Sequence, residues 1–538
     1  MRRLGDLIRE LGNFELVNCN PDLEITHLTH DSRTAKAGSL FFAITPAKPT
    51  DEKSGITMYA LNAVSRGAVV IVTEAVIDDR LPHVIVKNAR VAMSQIAKAF
   101  YDNACDKMKI VGVTGTNGKT TTTHILYHIL KQNRVPVGLI GTLGAKWSTN
   151  AQAGGRSPLT TPDPIDLHEL FYNMSEDGVE VVIMESSAHA IALDKLVGIT
   201  FEIGVFTNLS QDHLDFFGDY RTYANTKLNW FNDKIKAAII NADDPESAKI
   251  NHPNKIEFGL EGVRVELRAN GSSWEAKGSE GTDGTWRSRG LFELCQSGST
   301  SSDLRVPQTS QVPSVPSDPC THSWSVPLAG RFNVYNALAA INCAVELGLR
   351  QEQIRKALVS LPPIPGRFNT IKAGETSVII DYAHTPDSLE KIIRATRELV
   401  AAGRIITVFG CGGNRDASKR PLMGRISGKL SDYTIITTDN PRFESPRSII
   451  LQIEAGIKTV TDRYEIIEDR ADAIQHALGI AKSNDIVIIA GKGAEPYMEI
   501  KGVRHPYNDY EVVHTTKSMC NTASPAQTKK HARGKCKR

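Results

Sequence analysis

The sequence predicts an α/β protein of three domains, and three observations point to it. The chain has 538 residues, well past the roughly 250–300 at which a single hydrophobic core stops growing. Short apolar runs alternate with helix-like stretches along most of its length, as expected of sheets covered by helices. These runs fall into three successive rhythms.

The first rhythm gives SLFFAI, AVVIVTEA and HVIVKN between Ser39 and about Asn88, bounded by Gly, Pro or charge, with MYALNAVSRG between them. Ahead of it, MRRLGDLIRELGNFELV reads as an amphipathic helix with acidic residues, not as a secretory signal. Together they predict a small N-terminal α/β domain over 1–105. The second rhythm starts at Lys109 with KIVGVTG and continues through VPVGLIG, VEVVIMES, EIGVFTNLS and KAAIINADD. Strands apolar throughout and separated by helices predict a parallel sheet buried on both faces, here a central domain over 106–362. Within it, 268–325 is rich in Ser, Gly, Thr and Pro and poor in periodic apolar residues, which predicts a flexible insertion. The third rhythm, TSVIIDYA, RIITVFG, DYTIITTDN and DIVIIAGKG, predicts a C-terminal Rossmann-like α/β domain over 363–515. The chain ends in KKHARGKCKR, and 516–538 is expected to be a basic disordered tail.

Bulk properties narrow the function. A net charge of +3 is small for this length and gives no broad nucleic-acid-binding face. No window nears the ~20 apolar residues of a membrane span, so a cytoplasmic protein is expected. Eight cysteines without a C-x-x-C pair argue against a zinc site or a disulfide scaffold.

The strongest motif is VGVTGTNGKTTTT, which follows a strand and precedes a helix starting near Thr120. That context suits a phosphate-binding (P-loop) turn and makes the central domain a candidate ATPase domain. Gly115 and Gly118 let backbone N–H groups approach phosphate oxygens, Lys119 supplies a compact positive charge, and Thr120 offers a hydroxyl to Mg²⁺. Thr116, Asn117 and Thr121 complete the loop. Val113 stands where the strict pattern has its first Gly. Glu185 and His213 each follow an apolar strand, where the carboxyl ends of parallel strands meet ligands. A carboxylate and an imidazole there are candidate Mg²⁺ or phosphate partners.

These motifs, in this order, resemble those of the Mur ligases: Lys119 in TGTNGKT, Glu185 in MESS, His213 in QDHLD, Asn333 and Asn336 in GRFNVYNALAA, Arg367 in PGRF and Asp381 in DYAHTPDSLE. The similarity runs from about Leu28 to Val513, apart from the insertion. It is strongest toward the members that add the third, dibasic residue of the cell-wall peptide. The resemblance implies an ATP- and Mg²⁺-dependent amide ligase of peptidoglycan synthesis. Such an enzyme adds meso-diaminopimelate, L-lysine or L-ornithine to UDP-N-acetylmuramoyl-L-alanyl-D-glutamate through an acyl phosphate. The partners it implies are small molecules, with no nucleic acid or membrane insertion, and a monomer is expected.

The resemblance also implies roles. Lys119, Glu185, His213, Lys227 and Arg367 would be catalytic, with Thr120, Glu185, His213 and a carbamylated Lys227 around the metal. Asn333, Asn336, Arg367 and Asp381 would join the loop in holding ATP, the third domain closing over the second. Ser32 in THDSRT, Thr160 and Thr161 in LTTPDP, Ser187 and Lys195 would hold the UDP-linked precursor. Arg415, Asp439, Asn440, Arg442, Gly491 and Glu495 would hold the incoming amino acid. In this pocket Asp-Asn-Pro-Arg is the version associated with diaminopimelate, because Arg442 can pair with a distal carboxylate. Three positions depart from the family pattern: Ala188 replaces a second Ser, Lys195 an Arg, and Ala494 the His of G-K-G-H-E. A folylpolyglutamate synthase shares the central and C-terminal logic but normally carries its phosphate loop near the N-terminus. A non-catalytic nucleotide- or precursor-binding regulator would show a broken catalytic set, and none is broken.

Overall fold

The structure, a computed structural model, describes residues 1–45, 53–150, 159–260, 274–278, 322–400 and 402–522. Three sheets correspond to the three rhythms. The N-terminal sheet has five strands in the order Phe14–Val17, His83–Val86, Ala68–Thr73, Ser39–Phe42, His27–Thr29; only its first pair is antiparallel. Asn88 caps the helix Ala89–Phe100 by accepting from the N–H groups of Arg90 and Val91, and this helix buries Ala92, Met93 and Ile96 against the sheet.

The N-terminus corrects one expectation. In place of a long amphipathic helix it forms the helix Leu4–Leu7 and then the strand Phe14–Val17. Leu4, Leu7, Ile8 and Leu11 do bury at helical spacing. Gly12, at φ +60°, then turns the chain so that FELV can pair with His83–Val86. Sheet pairing supplies tertiary partners that a lone helix of this length lacks.

The central sheet has seven strands in the order Gly144–Trp147, Val137–Gly141, Val181–Glu185, Lys109–Thr114, Phe201–Phe206, Ile235–Asn241, Lys255–Phe258. All run parallel except the Gly144–Trp147 hairpin strand. Lys109–Thr114 lies between Val181–Glu185 and Phe201–Phe206, so the loops after these three strands emerge side by side. That crevice at the carboxyl ends is where an open parallel sheet receives ligand. The helix Lys119–Gln132 buries Ile125, Leu126, Ile129 and Leu130 in one core with Val334, Ala337 and Leu338 of the helix Arg331–Glu346.

Most of the expected insertion lies outside the described residues. Its two described ends, Trp274–Gly278 and His322–Val326, pair as antiparallel strands, and Trp324 and Val326 join the central core. The C-terminal sheet has six strands in the order Asn369–Ala373, Thr376–Asp381, Ile486–Ala490, Ile405–Phe409, Tyr433–Ile436, Tyr464–Ile466, antiparallel only at the first pair. The last helix, Asp509–Thr522, runs past 516, where the tail was expected to begin; residues beyond 522 lie outside the described set. Among the described residues no helix is long and apolar enough to cross a membrane.

Candidate active site between the central and C-terminal sheets

The phosphate loop turns between Thr114 and Lys119 on two glycines with positive φ, Gly115 at +142° and Gly118 at +88°. A Cβ at Gly115 would collide with Thr207 Oγ1, and one at Gly118 with Asn336 Oδ1. Both places therefore need glycine for conformation and for space. Thr116 Oγ1 meets Tyr223 Oη at 2.9 Å, Asn117 N donates to Asn208 Oδ1 at 3.0 Å, and Thr121 is buried. Lys119 Nζ donates back to the carbonyls of Gly115 and Thr116, each at 2.9 Å. Burial lowers the Lys119 pKa while the Glu185 carboxylate works to raise it.

Glu185 ends its strand beside the loop and is held on both oxygens. Thr120 Oγ1 donates to its Oε1 at 3.0 Å, Thr142 N donates to Oε1 at 2.9 Å, and Thr142 Oγ1 donates to Oε2 at 3.1 Å. Arg367 closes the arrangement from the third domain, its Nη2 donating to Thr120 Oγ1 at 2.8 Å while its guanidinium lies 4.5 Å over the Tyr382 ring. Asn117 Nδ2 donates to Asp387 Oδ2 at 2.9 Å, a second tie between the domains. Asn336 Nδ2 donates to Asn333 Oδ1 at 3.1 Å, which sets its Oδ1 against Gly118. Asp381 accepts from the backbone N–H groups of Phe368 and Ala383 at 2.6 and 2.7 Å. Burial pushes its pKa up, against the pull of Arg367.

His213 stands in the left-handed region at φ +56°, with Nε2 3.3 Å from Asp212 Oδ2. Burial is the largest cause holding its pKa down at about 3, so the imidazole is neutral and able to act as a metal ligand. Lys227 is 2% exposed, with Nζ 4.6 Å over the Tyr223 ring. Burial, reinforced by the charge of Lys119, drives its pKa well below the ordinary lysine value. A neutral, buried amine is the form that can take up carbon dioxide. Among the described residues no group of three or more His, Cys, Asp and Glu is arranged to hold a metal. The hydroxyl of Thr120 bonded to the Glu185 carboxylate nonetheless fits Mg²⁺. That ion is commonly bound by one or two protein groups together with substrate phosphates.

Of the residues expected to hold the precursor, Thr160, Thr161 and Ser187 gather beside Glu185. Thr161 Oγ1 donates to Glu185 O at 2.7 Å and to Ser187 Oγ at 3.1 Å, and Thr160 Oγ1 meets Thr142 Oγ1 at 3.1 Å. Lys195 Nζ pairs with Asp163 Oδ1 at 2.7 Å. Asp163 also approaches His30 Nε2 at 3.9 Å and, with His30, Tyr59 and Arg90, lines a cavity of about 330 Å³ against the N-terminal sheet. Ser32, at the start of the short turn after Asp31, is buried in the N-terminal domain and is not among the residues lining that cavity.

Five of the six expected amino-acid contacts gather at the C-terminal ends of the third sheet. Asn440 Nδ2 donates to Glu495 Oε2 at 2.8 Å, Arg442 Nε to Glu499 Oε2 at 3.2 Å, and a Cβ on Gly491 would lie 2.5 Å from Asp439 Oδ2. Arg415 turns toward the central domain, with Nη1 3.7 Å from Asp215 Oδ2. Sequence reasoning missed several residues that build the site. Asp212, inside the quoted QDHLD, is a buried carboxylate facing His213, His384 at 3.9 Å and Lys419 at 4.0 Å. Burial works to raise its pKa, but the electrostatic pull of His213, His384 and Lys419, with the backbone N–H of His213, overcomes burial and holds it well below the usual range. Lys492, inside the run DIVIIAGKG, and Thr142 carried no sequence signal.

This fold and site are those of an amide-forming ligase, and the chain belongs to the Mur ligase family. The Mur ligase middle domain matches residues 113–344, and the Mur ligase glutamate ligase domain matches residues 366–493. The UDP-N-acetylmuramoyl-L-alanyl-D-glutamate--2,6-diaminopimelate ligase of Caldanaerobacter subterraneus subsp. tengcongensis is 40% identical over 521 residues, 95% of this chain and 98% of its own. The enzyme of the same name from Geobacillus thermodenitrificans is 37% identical over 494 residues, 89% of this chain and 92% of its own. A solved structure of a UDP-N-acetylmuramoyl-L-alanyl-D-glutamate--2,6-diaminopimelate ligase matches with a TM-score of 0.59 at 27% identity, covering 96% of this chain and 99% of that one. A folylpolyglutamate synthase of Mycobacterium tuberculosis shares the fold, with a TM-score of 0.55 at 15% identity over 81% of this chain and 96% of its own.

Proposed function

We propose that this protein joins diaminopimelate to UDP-N-acetylmuramoyl-L-alanyl-D-glutamate with ATP and Mg²⁺, in the cytoplasm, as a step of peptidoglycan synthesis. The observation that carries the reading is the meeting of the phosphate loop, Glu185 and Arg367 at Thr120, with the precursor residues on one side and the Asp439–Glu495 pocket beyond. Relatives of nearly full length carry the same activity in their names.

The D-glutamate carboxylate of the precursor attacks the γ-phosphate of ATP, giving an acyl phosphate and ADP. The α-amine of the amino acid then attacks the acyl carbon; the intermediate expels phosphate, loses a proton and leaves an amide. Phosphoryl transfer depends mainly on positioning and charge stabilisation. Lys119 and Arg367 bring positive charge to the phosphates, and the Gly115–Thr120 turn presents N–H groups to them. Asn336 and Asp381 hold the nucleoside. Mg²⁺, held by Thr120, Glu185, His213 and carbamylated Lys227, supplies Lewis-acid polarisation of the phosphate oxygens when bound. Arg442 selects diaminopimelate, because its guanidinium can pair with a distal carboxylate that lysine and ornithine lack.

The test is phosphate release by purified protein with ATP, Mg²⁺ and the UDP-linked dipeptide, offering meso-diaminopimelate, L-lysine and L-ornithine separately. Release that depends on diaminopimelate is expected. Release with none of them, from folded protein that binds ATP, would overturn the reading.

A further inference from the structure

Lys492 is a cation of the amino-acid pocket that serves two carboxylates, Glu495 and Asp439. Arg442 pairs with Glu499, Arg415 faces Asp215, and Arg470 is bound to Asp509 with both side chains at 0% exposure. Lys492 is also fully buried. Its Nζ donates to Asn440 Oδ1 and to Glu495 Oε2, each at 3.0 Å. Asn440 closes the triangle by donating from Nδ2 to the same Glu495 oxygen at 2.8 Å, and its Oδ1 also accepts from Glu499 N at 2.9 Å. With two donors on its oxygen and a carboxylate on its nitrogen, the amide has a single satisfied orientation. Tyr382 Oη donates to the other Glu495 oxygen at 3.3 Å.

The same cation acts on Asp439. Burial of this carboxylate works to raise its pKa, but Lys492 first and Arg470 second overcome burial and leave it below the ordinary aspartate value. On its remaining side Lys492 faces the rings of Tyr497 and Tyr507, 5.7 and 6.0 Å from their centres, which favours a cation there. The three arginines each have their own carboxylate. Lys492 thus sets one positive charge against both Glu495, through a hydrogen bond, and Asp439, through its field.

We propose that Lys492 is a positioning and specificity-determining residue: it fixes Asn440 and Glu495 and keeps a positive charge beside the carboxylates of the pocket. That charge attracts a distal carboxylate and offsets the pull of the pocket's own carboxylates on a distal ammonium, which shifts the balance toward an amino acid whose distal end bears both groups. Without Lys492 the pocket is more negative by one charge. It then repels the distal carboxylate of diaminopimelate, whereas lysine, with the same distal ammonium and no carboxylate beside it, meets no such repulsion. The inference rests on the ligase reading above.

The experiment is steady-state phosphate release by full-length wild type, Lys492→Met and Lys492→Gln, with the amino acid, ATP and the UDP-linked dipeptide each varied in turn. Wild-type turnover with diaminopimelate comes first; its absence would sink the ligase reading and not this one. In Lys492→Met the KM for diaminopimelate is expected to rise at least about tenfold with kcat within about threefold, and the KM values for ATP and the precursor unchanged. The kcat/KM ratio of diaminopimelate to L-lysine is expected to fall at least about tenfold in both variants. The ratio does not depend on the fraction of folded enzyme, so it remains decisive if a variant is partly unfolded. In a double variant with Glu495→Gln, the two effects on amino-acid KM should be strongly non-additive. An unchanged selectivity ratio, a loss confined to kcat, or full additivity with Glu495→Gln would each overturn the proposal.

Discussion

Arg367 reaches from the C-terminal domain to Thr120 on the phosphate loop, Nη2 to Oγ1 at 2.8 Å, and Thr120 donates onward to Glu185 Oε1 at 3.0 Å. The contact between the two domains is thus built from the same groups that are proposed to meet the phosphates. Contacts of this kind form only when both domains are in place, so they couple closure to chemistry.

Replacing Arg367 by Ala should lower kcat by about 10²–10³, the scale for loss of one aimed charge donor. Lys should restore little of this, because it lacks the planar fork and the flat face that lies 4.5 Å over Tyr382. Single-turnover acyl-phosphate formation is the measurement. Near-wild-type rates in Arg367→Lys would show that only a point charge is needed.

Lys119→Ala should abolish ATP turnover, since its Nζ sits over the Gly115 and Thr116 carbonyls within the turn. Gly118→Ala should have a similar consequence by another cause: φ is +88°, and the added methyl would meet Asn336 Oδ1. Nucleotide binding by calorimetry distinguishes them. Gly118→Ala loses binding with the loop, whereas Lys119→Ala keeps part of the affinity and loses the chemistry.

Lys227 should be carbamylated in active enzyme, because burial and the neighbouring Lys119 keep its amine neutral. Mass spectrometry under bicarbonate should find the added carboxylate. Lys227→Ala should lose most activity and regain part of it with small carboxylic acids, which restore an anion. Full activity in Lys227→Ala without any carboxylate would refute the role.

Stability should fall on acidification between about pH 6.5 and 3. Burial, aided by Lys146 for His124 and Lys98 for His168, holds both imidazoles at about 3, against 6.5 for an unperturbed histidine. In that window the unfolded chain binds protons that the folded chain refuses, so unfolding becomes easier as pH drops. Each histidine adds a slope of up to about 1.4 kcal/mol per pH unit. Urea midpoints measured across this range should show a smaller slope for His168→Phe than for wild type; equal slopes would contradict the assignment.

The apolar runs by themselves determined the central sheet: KIVGV, VVIME and FEIGVF are strands in the structure because fully buried parallel strands read as continuous hydrophobic stretches. TGTNGKT was equally legible, since its glycines and lysine answer a local need of the backbone. The N-terminus was not. Leu4 to Leu11 keep a helical spacing, yet the following FELV is drawn into the sheet by a partner about 70 residues away, which no local window contains. The candidate site divides in the same way. Lys119, Glu185 and His213 stand out because they end strands or open a helix. Thr142, Asp212, His384, Lys419 and Lys492 gain their significance only from what faces them across a crevice. Burial, charge pairing and domain closure depend on distances in space, and the tertiary structure alone decides those.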